Sequence, residues 1–451
     1  MAQKIIKFLT CGNVDDGKST LIGRLLHDTD SLYHDQIEEV KKSTEDSFEG
    51  ELDFSLFLDG LTSERAQKIT IDAAYRYFSY GDRKLIIADS PGHEQYTRNM
   101  AVASSNSDIA IILIDATKGI KTQTIRHTFI NHLFGIKHII IAVNKMDLVG
   151  FNQTVFDSIC EQYKTKISSL EFDTISFVPI AAKLGENIVE KGQKFPWYNG
   201  KTIIETLLAI EPQTNKGNDL RLSVQNVVKQ DTKRFYQGVL AGGVLKRGDK
   251  VLVYPAKEFV HVTEIVRAGE VIEEAKKSHA VMISIDREID LDRGGLISDS
   301  ENPSHFVNRF CASLIWFSDK EWAGSNAEYL LKINHNYVRA NIKKINHLTD
   351  VDTLSDYQSY SMRANQIANV NFDLAQNVAV DLFSENKNTG SFLLIDKDSN
   401  ETVACGVITD FVTEKKDAAE KKQTNQQEFL RELSGLIKKY FGENSEFDFS
   451  I

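Results

Sequence analysis

Five runs in the first 210 residues are apolar through most of their length: 5–11, 84–88, 109–115, 138–143 and 175–180. Continuous apolar character, rather than alternation, is what a strand covered on both faces carries, and the longer stretches between the runs read as helices. The pattern predicts an α/β fold: a mostly parallel sheet with helices on both faces. Ligands of such sheets bind beyond the carboxyl ends of the strands, so the residues after each run are where chemistry is sought.

After Glu211, Pro212 and a polar connector, the pattern changes. From 222 to 298 short alternating runs are separated by turns such as Gly242-Gly243 and Arg247-Gly248-Asp249, which reads as a small β-barrel. A break at Asn302-Pro303 precedes a second β-rich stretch to about Val412, read as a second β-barrel domain. From Thr413 the composition turns to Glu, Lys and Gln. Phe429, Leu430, Leu433, Leu436, Ile437, Tyr440 and Phe441 then recur at helical spacing before Gly442, predicting an amphipathic helix that packs on its own barrel or docks a partner. The expected division is 1–214, 215–303, 304–412 and a tail, 413–451.

Length agrees with several domains, since 451 residues exceed what one hydrophobic core serves. Acidic residues outnumber basic ones, 64 against 53, which disfavours phosphate-backbone binding by the molecule as a whole. No nucleic-acid partner is therefore expected. Cys11, Cys160, Cys311 and Cys405 are scattered, without the close pairing of a metal or redox site, and are expected to be reduced and buried. No apolar run approaches the roughly 20 residues of a membrane span. Lys4 and Lys7 interrupt the apolar start, so no secretion signal is read there, and a cytoplasmic location is the expectation.

Directly after the first run stands Gly12-Asn13-Val14-Asp15-Asp16-Gly17-Lys18-Ser19, followed by Thr20. This is a phosphate loop: its glycines allow backbone N–H groups to converge on phosphate oxygens, Lys18 supplies a charge, and the Ser19 hydroxyl can bind Mg²⁺. A helix starting near Ser19 adds its N-terminal dipole. Gly200-Lys201-Thr202 has the same tail, but Phe195 stands where the leading glycine belongs, so it is set aside. Asp89-Ser90-Pro91-Gly92 follows the second run. D-x-x-G is uninformative alone, but at a strand end Asp89 can hold a water on Mg²⁺, and the Gly92 N–H can contact the terminal phosphate. After the fourth run comes Asn144-Lys145-Met146-Asp147. The Asp147 carboxylate can accept from the guanine ring N–H and amine, whereas adenine offers the opposite pattern on that edge. Thr70, before the second run, is a candidate second hydroxyl on the metal, its alternative being an ordinary surface threonine. GTP or GDP with Mg²⁺ is the ligand expected.

Together these motifs resemble the translation-factor class of GTPases, in which a Val-Asp phosphate loop, an Ile-Thr-Ile segment (Ile69-Thr70-Ile71) and Asp-x-Pro-Gly-His occur together. The resemblance implies that His93 orients the water attacking the γ-phosphate, with Val14 and Ile69 as an apolar gate, and that Ala181, Ala182 and Lys183 form the last guanine-side element. Within the class the chain is similar to the GTPase subunit of bacterial sulfate adenylyltransferase over roughly residues 4–412. The strings that carry this are Phe8 to Leu26, Leu58-Asp59-Gly60-Leu61, Ile87 to Met100, Pro196-Trp197-Tyr198 and Ile289 to Gly294. That family implies a smaller catalytic subunit that condenses ATP with sulfate to adenosine 5′-phosphosulfate and pyrophosphate, driven by GTP hydrolysis on this chain. Sulfate chemistry rests on the resemblance alone.

Ala66 and Lys68 stand where Glu and Gly are usual, and Ala181 replaces a serine. No second phosphate loop follows, so an adenylylsulfate kinase unit is not read here. Two other readings stay open: a factor delivering RNA to the ribosome, against which Asp16, Ser19 and the acidic balance argue, and a GTP-holding regulatory module with negligible hydrolysis.

Overall fold

A computed structural model of the chain describes residues 5–31, 54, 72–211, 219–230, 233–324 and 327–412. The expectations for Leu58 to Leu61, Ala66, Lys68, Ile69, Thr70 and the tail from 413 lie outside the described residues.

The first unit runs β1 (Ile5–Cys11), α1 (Lys18–Asp28), β2 (Ala74–Tyr80), β3 (Arg83–Asp89), α2 (Thr97–Ser105), β4 (Ile109–Asp115), α3 (Thr122–Leu133), β5 (His138–Asn144), α4 (Gln153–Lys166), β6 (Thr174–Pro179) and α5 (Ile203–Ala209). Its six strands lie in the order β2-β3-β1-β4-β5-β6, every pairing parallel except β2 with β3. β4 and β5, buried at every position, are the strands whose sequences read most plainly. Successive residues of each strand point to opposite faces. Leu9, Ile112 and Ile141 meet Met100 of α2, Ile130 of α3 and Tyr163 of α4, while Phe8, Ile111 and Ile140 meet Leu25 of α1 and Leu207 of α5. One strand escaped the sequence reading, and one expectation is corrected. β2 carries no apolar run because it is an antiparallel edge with a half-exposed face, Tyr77 among its open side chains. The run 175–180 is covered only toward its end, because β6 is the other edge strand and leaves Thr174 and Ile175 exposed.

Thr202, the last residue of the discarded Gly-Lys-Thr, instead caps α5: its hydroxyl accepts from Glu205 N (3.2 Å), and Glu205 Oε2 accepts from Thr202 N (2.9 Å).

The rest is antiparallel. β7 (Arg221–Gln230), β8 (Lys233–Gly242), β9 (Val244–Lys246), β10 (Lys250–Tyr254), β11 (Glu258–Arg267), β12 (Glu270–Ile272), β13 (Glu274–Lys276), β14 (Ala280–Ile285) and β15 (Leu296–Asp299) build the first barrel. Its ring runs β10-β15-β7-β8-β14-β11 and closes by β11 pairing β10. β16 (His305–Trp316), β17 (Tyr329–Ile333), β18 (Asn336–Thr349), β19 (Asp356–Tyr357), β20 (Ile367–Val380), β21 (Ser391–Asp396) and β22 (Thr402–Phe411) build the second. Its ring, β17-β21-β22-β16-β20-β18, closes by β18 pairing β17. Closure leaves no free edges within either ring, and the alternating inward residues, such as Val251, Val262 and Ile283 in one and Leu314, Leu331 and Phe372 in the other, fill the interiors.

The first unit meets the second barrel through apolar packing that draws Ile315, Ile367, Cys405 and Val407 into its own core. The barrels meet each other around Leu252, Tyr254 and Leu296, against Phe306 and Ala379.

Among the described residues the four cysteines are free thiols. Cys11, Cys160 and Cys405 are buried, and burial pushes each thiol up to about 12, whereas Cys311 is only half-buried.

Candidate nucleotide-binding site

The loop from Gly12 to Gly17 joins the buried end of β1 to the N-terminus of α1. Asp15 (φ 68°) and Gly17 (φ 94°) both take the left-handed conformation, which turns successive N–H groups into one concavity. A Cβ on Gly17 would collide with the Asn144 side-chain amide, so glycine is required there on two counts. The loop is braced from within: Asp16 Oδ2 accepts from Asn13 N (2.7 Å) and Asn13 Oδ1 from Val14 N (2.9 Å). Burial raises the pKa of Asp16, against the pull of the Asn13 N–H and Lys18. The N–H groups of Lys18, Ser19 and Thr20 open α1 and have no acceptor within the helix, so they face the mouth of the loop with the positive end of the dipole.

Lys18 is buried, and its ammonium donates to Gly12 O (3.1 Å) and Asn13 O (2.8 Å). Burial lowers its pKa, while the charges of Asp89 and Asp16 work the other way. A buried cation held by two carbonyls, with donor capacity left, is chemically matched to a phosphate anion.

The segment after β3 lies against this loop. A Cβ on Gly92 would stand 2.5 Å from Lys18 Nζ and 2.8 Å from Gly12 O, so only glycine allows the approach. Asp89 is buried and accepts from Thr10 Oγ1 (3.3 Å), and Ser90 Oγ donates to Thr10 O (2.7 Å), tying β3 to β1 just short of the loop. Pro91 is buried beside them. His93 is exposed and caps a short 3₁₀ turn, its Nδ1 accepting from Gln95 N (3.4 Å), which leaves Nε2 open.

Asn144 connects a third and a fourth segment. Its Nδ2 donates to Asp16 O (2.9 Å), and its Oδ1 accepts from Ala182 N (2.9 Å). The contact with the 181–183 segment thus runs through main chain and does not need the hydroxyl that Ala181 lacks. Lys183 is exposed, and its carbonyl accepts from Arg24 Nη1 (3.4 Å). Met146 is buried and its N–H donates to Ile180 O (3.3 Å), while Asp147 is half-buried on the same turn, its carbonyl accepting from Gly150 N (3.2 Å) and its carboxylate without a hydrogen-bond partner among the described residues.

Sequence reasoning missed Asp115, the last residue of β4. It is buried, accepts from Thr117 N (2.9 Å) and Thr117 Oγ1 (2.6 Å), and pairs with Lys145 Nζ at 2.8 Å. Burial works to raise its pKa, but the hydrogen bonds from Lys145 and Thr117 prevail and hold the carboxyl below the usual range. Lys145, itself in a left-handed conformation (φ 62°), is thereby fixed beside Asp147. An acidic residue ending an apolar run, as Asp89 does, was the available signal.

No cluster of three or more His, Cys, Asp or Glu able to hold a metal occurs among the described residues. Ser19 and Asp89 offer hard oxygen donors beside the loop, the donor type that suits Mg²⁺, which keeps most of its shell for waters and phosphate oxygens.

Residues 3–232 match the family described as elongation factor Tu GTP binding domain, and residues 309–409 that described as GTP-eEF1A C-terminal domain-like. A phosphate loop at the end of β1, facing Gly92 and linked through Asn144 to the Asn-Lys-Met-Asp turn, completes the definition: this is a GTPase of the elongation-factor class. The chain is also 42% identical over 443 residues to sulfate adenylyltransferase subunit 1 of Cellvibrio japonicus (strain Ueda107), covering 97% of this chain and 93% of that one. It is 40% identical over 444 residues to the protein of that name in Francisella tularensis subsp. novicida (strain U112), with the same coverage. It belongs to the sulfate adenylyltransferase subunit 1 family. Among solved structures it is similar to sup35 complexed with GDP, at 20% identity and a TM-score of 0.42, over 91% of this chain and 95% of that one.

Proposed function

We propose that this chain hydrolyses GTP to drive synthesis of adenosine 5′-phosphosulfate from ATP and sulfate on a separate, smaller catalytic subunit, in the cytoplasm. The observation that carries the reading is Gly92 seated on the Lys18 loop, in a chain about 40% identical to relatives named as a subunit of the sulfate-activating enzyme. The units in this reading are 1–214 for GTP, the barrels 215–303 and 304–412, and the tail 413–451.

Residues 12–20 cradle the β- and γ-phosphates through their N–H groups and Lys18. Ser19, Thr70 and, through a water, Asp89 would hold Mg²⁺, which would supply positive charge to offset that of the phosphates. Gly92 N–H senses the terminal phosphate. His93 Nε2 orients the attacking water, its Nδ1 being taken up by Gln95 N. Asp147 accepts from the guanine N–H groups, and Asn144 and Lys145 hold the turn and the 181–183 segment in register around the base. Loss of the terminal phosphate releases Gly92, and that movement drives the partner only if both reactions bias one shared conformational equilibrium.

Purified chain and smaller subunit, mixed with ATP and sulfate, are expected to release pyrophosphate in a GTP-dependent manner. Release indifferent to GTP overturns the coupling. Asp147→Asn is expected to weaken GTP binding by about 100-fold, the loss of two charge-assisted hydrogen bonds, and to favour xanthosine triphosphate. Unchanged GTP affinity removes Asp147 from base reading.

A further inference from the structure

Where α2 and the two barrels converge, they enclose a cleft of about 540 Å³. None of residues 12–20, 89–93 or 144–147 lines it, so it is separate from the nucleotide loops. Its walls combine two features that seldom coincide. Val102 of α2, Val239 of β8 and Leu393 of β21 are 47%, 38% and 37% exposed, so each of the three units leaves a large apolar side chain open on this one cleft. Leaving such surface in water is unfavourable, and concave apolar floors of this volume are typical of small-ligand sites at domain junctions.

The second feature is charge. About one residue in seven of the chain is acidic, yet no carboxylate lines the cleft among the described residues, whereas Arg98, Lys332 and His335 do. Arg98 lies over the Phe317 ring (5.5 Å) and donates to Thr402 O, and Lys332 Nζ lies over the Tyr337 ring (5.7 Å). Neither cation has an ion-pair partner among the described residues. His335 Nδ1 sits 3.0 Å from Ser223 Oγ, and Gln225 and Asn388 add amide groups able to fix a ligand's orientation.

We propose that this cleft binds a small anion with an aromatic or apolar body, of the size of a nucleoside monophosphate. The apolar floor takes the body, and Arg98 and Lys332 take the phosphate or sulfonate. Because its walls come from α2, four residues beyond His93, and from both barrels, a bound ligand touches all three units at once and stabilises this arrangement of them.

The test uses the full chain saturated with GDP, so that the guanine site is filled, titrated with 8-anilinonaphthalene-1-sulfonate by fluorescence and calorimetry. One site is expected, displaced by adenosine 5′-monophosphate but not by adenosine. Lys332→Glu is expected to weaken the dye at least about tenfold, the scale of one charge-assisted contact, and Val239→Asp to abolish its binding. Both variants are expected to keep the parent Tm and GDP affinity. Should Val239→Asp lower the Tm, Lys332→Glu decides, because its side chain is only half-buried and has no ion-pair partner among the described residues. Absence of dye binding, binding unchanged in Lys332→Glu, or displacement by adenosine as strong as by its monophosphate overturns the proposal. A chain that fails to take up GDP defeats the GTPase reading but still yields the dye titration.

Discussion

The barrels are joined to each other and to the nucleotide-binding unit by contacts of different kinds. Between the barrels, Arg221 and Asp381 form a buried two-pronged ion pair, Nε to Oδ2 at 2.8 Å and Nη2 to Oδ1 at 2.9 Å. Arg221 Nη1 also donates to Leu220 O and Asn302 O, and Asp381 accepts from Ser304 and Thr389 as well. Between the nucleotide-binding unit and the second barrel, the described polar links end on main-chain carbonyls: Lys387 Nζ on Gly135 O (2.8 Å) and Arg98 on Thr402 O. The remainder is apolar packing flanked by two clefts, of about 540 and 900 Å³. Apolar contact is non-directional, whereas a forked ion pair fixes one orientation. The barrels are therefore expected to move as one body, and the nucleotide-binding unit to be the part that shifts against them.

The largest effect should come from breaking the rigid junction. Asp381→Ala leaves the Arg221 guanidinium buried without its counter-charge, which costs about 3–5 kcal/mol. Chemical denaturation measures it, and a loss below about 1 kcal/mol would mean the two junctions do not differ as argued. Acid should act next, and on the other side. His127, on α3 beneath the phosphate loop, is pulled down to about 3 by burial and then by Lys18 and Arg126. It stays neutral in the fold while the unfolded chain takes up a proton below about pH 6.5, so its contribution is intact above that pH and falls as pH drops toward 3. By pH 5 the loss is about 2 kcal/mol. Burial also lowers His132 and His138, which line the larger cleft, in the same direction. Hydrogen exchange at pH 5 and 7 should thus show protection falling in α3 and β5 before the barrels; loss beginning in the barrels would reverse the assignment.

What could be read from the sequence divides along the same physical line. β1 and β4 match their predicted runs to the residue; β4, covered on both faces along its whole length, leaves no room for polar interruption, and β1 admits Lys7 only at its exposed start. The barrels announced themselves by alternation and turns. The loops marked by motifs meet at the carboxyl ends of β1, β3 and β5, Gly92 against Lys18 and Asn144 against Gly17, because local glycine and asparagine requirements are written in consecutive residues. By contrast, Arg221 and Asp381 lie 160 residues apart, and nothing local to either announces the other. The edge strand β2 escaped because its exposed face breaks the apolar pattern. The cleft at Val102, Val239 and Leu393 is assembled from three units and has no signature in any one of them.

The smallest expected effect is the most discriminating for the soft junction. Lys387 reaches from the second barrel to Gly135, which takes a left-handed turn (φ 70°) between α3 and β5. A Cβ there would stand 2.9 Å from Lys387 Cε and 3.1 Å from Phe383 Cε1, so the barrel seats directly on the bare backbone. Burial lowers the pKa of Lys387, with Asp108 opposing, so the cost of desolvating the ammonium offsets much of its single hydrogen bond. Lys387→Met keeps the stem packed on Gly135 and removes both the bond and the desolvation. Stability should therefore change by no more than about 1 kcal/mol, against the 3–5 kcal/mol at Asp381. The distance between a label on α3 and one on β20, followed by fluorescence transfer, should broaden in this variant while a pair spanning the two barrels stays fixed. Broadening of both pairs, or of neither, would show that Lys387 does not set the orientation of the nucleotide-binding unit on the barrels.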